Sequence, residues 1–227
     1  MKAVILAAGK GTRMGDLSKE TPKPMLKVLG KTLIEHKLLS LPESVTEVVI
    51  VVGYLKDKIV DVLGSEYAGK KIVYVVQEEL NGTAGALFCA RDILQGEEKF
   101  LVLMGDDIYS KEDMEECIKH DYAILIRETD NLQGRAKVVF DGEGHIKDIL
   151  EKYPDPVSGF VCTGMYTITP KIFEYTQVGI PGGELGLPQT ILSMKDEVKI
   201  KAVQSRFWLN ITSPEDLIIA ETFLKID

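Results

Sequence analysis

A doubly wound α/β fold, its mostly parallel sheet covered by helices on both faces, is the architecture this 227-residue sequence predicts. Three observations carry the prediction. Four short runs rich in Val, Ile and Leu, at Lys2–Ala7, Glu47–Val52, 71–76 and Phe100–Met104, are apolar at successive positions. Strands buried on both faces read this way, whereas a half-exposed strand alternates. Three of the runs stop at glycine-bearing turns, Ala8-Gly9, Gly53 and Gly105. Between the runs, helical periodicity recurs over 32–41, 55–63, 84–95 and 111–120, the spacing of strand–helix–strand units.

The pattern changes after residue 121. Residues 122–127 read as one more strand, and 136–140 and 145–150 flank Asp141-Gly142-Glu143-Gly144, a hairpin signal. Residues 160–168 form a further strand stopped by Pro170, 187–194 a short helix and 198–203 a half-exposed strand. Ser213-Pro214-Glu215-Asp216 opens the last helix with a capping Ser, Pro at the first helical position and acids in the first turn. No polar or glycine-rich linker interrupts 105–135. One domain over 1–227 is therefore expected, with an α/β half at about 1–121 and a more antiparallel half at about 122–227.

Composition excludes several classes. The net charge of −8, from 35 acids and 27 bases, argues against a nucleic acid partner, which would leave a basic stripe. It leaves room for a small polyanion held by a few cations, amide groups and a divalent ion. Cys89, Cys117 and Cys162 are scattered without metal-binding spacing and predict small buried side chains in a reducing compartment. No apolar stretch approaches the length of a membrane span, and the five apolar residues after Lys2 are too few for a secretory core. The expected location is the cytoplasm.

Chemistry concentrates in six segments. Leu6-Ala7-Ala8-Gly9-Lys10-Gly11-Thr12-Arg13-Met14-Gly15 follows the first strand, where glycines let backbone amides approach an anion. Its spacing matches neither the P-loop nor the dinucleotide fingerprint. In Thr21-Pro22-Lys23-Pro24-Met25 two prolines fix the backbone around Lys23, which suits a phosphate or a solvated turn equally. Gln77 offers both donor and acceptor to a base edge, and Asn81-Gly82-Thr83 leads into a helix that Thr83 is placed to cap. Gly105-Asp106-Asp107 puts carboxylates at a central strand tip, which a Mg²⁺ on phosphates would compensate; Asp107 also fits a turn. Glu151-Lys152 pairs a hydroxyl acceptor with a phosphate cation. Asn210 ends the segment with the single Trp, Phe207-Trp208-Leu209-Asn210, and offers an oxygen to a metal.

In this order, LAAGKGTRM at 6–14, TPKPML at 21–26, GYLKDKI at 53–59, NGTAGAL at 81–87, GDD at 105–107, EK at 151–152, TGMY at 163–166 and WLNITSPEDL at 208–217 resemble the sugar-1-phosphate nucleotidylyltransferases. The resemblance runs nearly end to end. It implies a Rossmann-like three-layer α/β/α fold with a mixed, mostly parallel central sheet, of the nucleotide-diphospho-sugar transferase type. It implies Mg²⁺ as cofactor, and a nucleoside triphosphate (UTP or dTTP) and a sugar 1-phosphate (glucose 1-phosphate first) as partners. Dimers or tetramers are common in the family. The longer relatives' C-terminal β-helix is not expected after 227.

The resemblance also assigns roles. Leu6, Ala8, Gly9, Gly11, Thr12, Arg13, Gln77, Gly82, Thr83 and Asp106 would meet the nucleotide. Lys23, Gly134, Glu151, Lys152 and Gly164 would meet the acceptor. Arg13, Lys23, Asp106 and Lys152 would form the catalytic charge clamp, with Asp106 and Asn210 as metal ligands. Two departures stand out: Asn210 where many members carry Asp, and Gly15-Asp16-Leu17-Ser18 in place of a hydrophobic-Pro-Leu-Thr stretch. A guanylyltransferase using mannose 1-phosphate, a cytidylyltransferase with a non-sugar acceptor and a silent nucleotide-sugar sensor remain alternatives.

Overall fold

The computed structural model describes residues 1–225. Ten strands form one sheet: β1 Lys2–Ala7, β2 Glu47–Val52, β3 Glu66–Tyr67, β4 Lys70–Val76, β5 Phe100–Met104, β6 Ala123–Thr129, β7 Lys137–Phe140, β8 Ile146–Leu150, β9 Gly159–Ile168 and β10 Lys201–Gln204. β5, β1, β2 and β4 lie side by side and parallel, so that Ile5 faces both Ile50 and Leu103. β9 runs antiparallel to β5 and β6, and β10 is parallel to β6. The β7–β8 hairpin joins the sheet through Lys137 opposite Val161. The sheet is thus mixed and mostly parallel across its first half, as the apolar runs predict.

Both faces are covered. Alternate residues of β1 enter different cores: Val4 and Leu6 pack with Ala84, Leu87, Leu187 and Ile191, whereas Ala3, Ile5 and Ala7 pack with Ile34, Leu38, Ile59 and Met114. That is why the strand is apolar at every position: each buried aliphatic side chain contributes about 1.5–3 kcal/mol, and both faces collect it. The covering helices are α1 Leu33–Ser40, α2 Lys56–Leu63, α3 Thr83–Cys89, α4 Lys111–Cys117, α5 Leu187–Leu192 and α6 Pro214–Leu224. A third, smaller core unites Met14, Leu26, Leu33, Ile211 and Ala220, and so ties the glycine loop to α6.

Several boundaries differ from expectation: β6 runs on to Thr129 rather than stopping at 127, and α4 ends at Cys117 rather than 120. The helix expected over 84–95 breaks at Ala90, whose backbone (φ −91, ψ 5) leaves the helical region before a short helix at Arg91–Leu94. The strand expected over 198–203 begins at Lys201 and extends to Gln204, because the Ile200 carbonyl accepts from Ile146 of the hairpin. α5 ends at Leu192 rather than 194. α6 starts as expected, with reciprocal bonds between Ser213 and Asp216. Among the described residues no helix is long and apolar enough to cross a membrane.

Candidate functional site

Two adjoining cavities open beyond the carboxyl ends of the parallel strands, where doubly wound sheets place ligands. The first has a volume of about 590 Å³ and is lined by Leu6, Ala8, Gly9, Lys10, Gly11, Thr12, Arg13, Lys23, Gln77, Gly82, Thr83, Asp106 and Asn210, among others. The second, about 480 Å³, is lined by Gly134, Arg135, Glu151, Gly164 and Gln189 on its outer side. Arg13, Thr83, Met104, Asp107, Glu184 and Asn210 belong to both. The cavities therefore share a rim that carries both signs of charge.

The loop after β1 is shaped by left-handed Gly11 (φ 63) and Gly15 (φ 58), with buried Met14 pinning the 3₁₀ turn between them. A side chain at Gly11 would press on the Cβ of Lys23 at 2.9 Å, so the loop lies directly over that lysine. Pro22 (φ −60) and Pro24 bracket Lys23 in a 3₁₀ turn. Lys23 is only 5% exposed, and its Nζ donates to Asp106 Oδ2 at 2.5 Å. The fold brings a lysine and an aspartate 83 residues apart into one ion pair in the first cavity.

Gln77, at the end of β4, is buried and donates from Nε2 to Asn81 Oδ1 (3.1 Å) and Gly82 O (3.2 Å). With both amide hydrogens engaged, Oε1 is the group left to face a ligand. Gly82 (φ 112) has no room for a side chain, since a Cβ would collide with the Leu185 backbone. Thr83 does not cap its helix: the N-cap is Gly82, without a side-chain bond. The Thr83 hydroxyl instead accepts from Leu187 N at 3.0 Å, because the close approach at Gly82 brings α5 within reach.

The two aspartates after β5 do different work. Asp106 is partly exposed in the first cavity. Asp107 is 4% exposed and accepts from Trp208 Nε1 (3.1 Å), Asn210 Nδ2 (2.9 Å) and Ile211 N (3.3 Å). Its carboxylate clasps the C-terminal segment against β5. Burial, then the neighbouring charge of Asp106, pushes the Asp107 carboxyl up from its ordinary value. Lys37 lies beneath, 1% exposed, donating to the Asp107 carbonyl and sitting 5.5 Å from the Tyr109 ring; burial pulls its ammonium down. Asn210 gives its amide nitrogen to Asp107, which leaves its oxygen to the cavity side of the group.

In the second cavity Glu151 accepts from Gln189 Nε2 at 3.0 Å. Gly134 (φ 74) donates its N–H to Tyr153 O. Buried Gly164 (φ 83) leaves no space for a side chain beside Met104. Lys152 departs from expectation: it is exposed and lines neither cavity. Its φ of 50 lies in the left-handed region, where a lysine is strained by about 1 kcal/mol or more relative to glycine.

Sequence reasoning missed Lys37, Arg135, Glu184 and Gln189. Lys37 alone carried a signal, since it falls on the apolar face of α1 between Ile34 and Leu38. The others sit in turns or on a short helix, where periodicity says nothing about which cavity a side chain meets.

The fold and site define an α/β protein with paired cavities, one under the glycine loop after β1 and one adjoining it across a shared rim. The family model described as Nucleotidyl transferase matches residues 2–225, and the chain belongs to that family. It is 33% identical over 99% of its length to the bifunctional protein GlmU of Methanocaldococcus jannaschii, of which it spans 54%. It is 35% identical to the UTP–glucose-1-phosphate uridylyltransferase AglF of Haloferax volcanii, covering 99% of this chain and 97% of that one. A UDP-glucose pyrophosphorylase solved with UDP-glucose superposes with a TM-score of 0.85 over 100% of this chain and 99% of that chain; at 23% identity this likeness shows the fold alone.

Proposed function

We propose that the chain transfers the nucleotidyl group of UTP or dTTP to a sugar 1-phosphate, glucose 1-phosphate first, releasing pyrophosphate and forming a nucleoside-diphosphate sugar. The observation that carries this reading is the shared rim: a cavity holding the Lys23–Asp106 pair opens onto a second one holding Glu151, with Arg13 lining both. A phosphate oxygen arriving from the second cavity would meet an α-phosphorus in the first. The acceptor is already an anion near neutral pH, so no general base is needed. The main task is to hold two repelling phosphates in line and neutralise the leaving charge, the role proposed for Arg13 and Lys23, which both line the first cavity.

The base preference follows from Gln77. An acceptor Oε1 complements the N3–H of uracil or thymine and opposes the N3 lone pair of cytosine. The name of the AglF relative agrees with uridine and glucose 1-phosphate. Asp106 and the Asn210 oxygen fit Mg²⁺, since both are hard oxygen donors in one cavity; bound there, the ion would neutralise phosphate charge. Gly164 and Lys152 complete the proposed acceptor side: Gly164 lines the second cavity, and Lys152 follows Glu151 directly on an exposed turn.

The test is pyrophosphate release with Mg²⁺ and each of UTP, dTTP, CTP, GTP and ATP against glucose 1-phosphate and mannose 1-phosphate. Turnover highest with UTP or dTTP is expected. Tight binding of a nucleotide sugar with no release from any pair would overturn the enzymatic reading in favour of a sensor.

A further inference from the structure

Gln189, the third residue of α5, lines the second cavity. Its Nε2 donates to Glu151 Oε1 at 3.0 Å and lies 3.4 Å from Ile149 O. Those two acceptors determine the amide's orientation, because the reverse would set its carbonyl against a carboxylate and a second carbonyl. The consequence is that Oε1 is buried without a hydrogen-bond partner. It rests instead on Gly186, where an added Cβ would overlap it. An unpaired buried carbonyl is costly, and this one is retained in the arrangement that gives Glu151 a donor. Among the described residues no other group hydrogen-bonds Glu151.

The first turn of α5 is itself anchored on the opposite side. Leu185 N donates to Asn81 O at 2.7 Å, and Leu187 N to Thr83 Oγ1 at 3.0 Å. One five-residue stretch, 185–189, thus grips the loop of the first cavity at its start and the carboxylate of the second at its end.

We propose that Gln189 is a positioning residue that aims Glu151 at the acceptor sugar, and thereby sets the affinity for the sugar portion and not for the nucleotide. This rests on the acceptor reading of the second cavity given above. Glutamine supplies what the position requires: a neutral donor long enough to reach Glu151 from α5. Leucine would fill the space without the donor, and glutamate would face Glu151 with a like charge.

The experiment measures the Michaelis constants of Gln189→Leu for glucose 1-phosphate and for UTP with Mg²⁺, beside calorimetric dissociation constants for UDP-glucose and UTP. The same substitution is made in a Glu151→Ala background, and thermal melts accompany each variant. Loss of a charge-assisted bond predicts an increase of about tenfold or more in the glucose 1-phosphate KM and the UDP-glucose Kd. Both UTP constants should stay within about twofold, and Gln189→Leu should add almost nothing once Glu151 is gone. An unchanged glucose 1-phosphate KM, an equal rise for UTP, or a full effect in the Glu151→Ala background would overturn the inference. A wild-type protein that releases no pyrophosphate but keeps the UDP-glucose pattern would sink the catalytic reading alone. One that neither turns over nor binds UDP-glucose would sink both.

Discussion

Replacing Asp107 with Asn separates structure from chemistry in two adjacent carboxylates. Asp107 serves three donors, with Oδ1 facing Asn210 Nδ2 and Ile211 N and Oδ2 facing Trp208 Nε1. An amide in its place keeps a single oxygen. Turned toward Asn210 and Ile211, it sets its own N–H₂ against the indole N–H and leaves both donors unsatisfied. Each buried unsatisfied donor costs about 1–3 kcal/mol, and Lys37 beneath loses a counter-charge. Relief of the repulsion from Asp106 offsets part of this. A net loss of about 2–4 kcal/mol remains, equivalent to a fall of roughly 5–15 °C in Tm for a chain of this size. Asp106→Asn removes the charge opposite buried Lys23 but keeps an amide oxygen to accept from it at a partly exposed position, so its melt should shift by less than that of Asp107→Asn while pyrophosphate release falls about 100-fold or more. Calorimetric melts and a coupled pyrophosphate assay on both variants decide the matter. Equal melting temperatures for the two would refute the division of labour, as would Asp107→Asn melting with the wild type.

Three further outcomes follow from particular residues. Lys152→Gly relieves left-handed strain, offset by the greater freedom of glycine in the unfolded chain, so stability should stay level or rise by up to about 1 kcal/mol. Acceptor turnover should nonetheless fall at least tenfold, and a variant that is destabilised but fully active would contradict both halves. Gly82→Ala forces a Cβ into the Leu185 backbone at φ 112, and a loss of more than about 2 kcal/mol with a raised KM for UTP is expected by urea melts and kinetics. Burial alone would raise the Glu35 and Asp216 carboxyls, but bonds from Thr32 and Tyr67, and from Thr212 and Ser213, hold them below their ordinary values. Depressed carboxyls contribute stability that is present above about pH 4 and is lost as pH falls through the folded pKa. Glu35→Gln and Asp216→Asn should therefore cost about 1 kcal/mol each at pH 6 and flatten the decline toward pH 3; a decline as steep as in the wild type would count against the caps.

Much of the fold was legible because its signals are local. An apolar run such as EVVIVV at Glu47–Val52 declares a strand covered on both faces, and Ser213-Pro214 declares a helix start, whatever surrounds them. The break at Ala90 was not legible, since nothing in the residues around it forbids a continuous helix. Within the site, Arg13, Lys23, Gln77, Asp106, Glu151 and Asn210 were singled out by type and by position after strands, and the structure brings them to two adjoining cavities. Thr83 and Lys152 were given the wrong local circumstances. Thr83 bonds a helix more than a hundred residues away, and Lys152 is exposed on a left-handed backbone and lines neither cavity.

The sequence by itself determined the order of strands and helices, the glycine loop after β1 and the residue types able to hold phosphate, because these follow from periodicity, turn chemistry and charge. Tertiary structure alone decided which groups meet. That Lys23 pairs with Asp106 and not Asp107, that Asp107 holds Trp208 and Asn210, and that Gln189 reaches Glu151 depend on contacts across 83, 101 to 103 and 38 residues. Such partners are chosen by strand order and by the depth at which each side chain is buried, and neither is written in any short stretch of the chain.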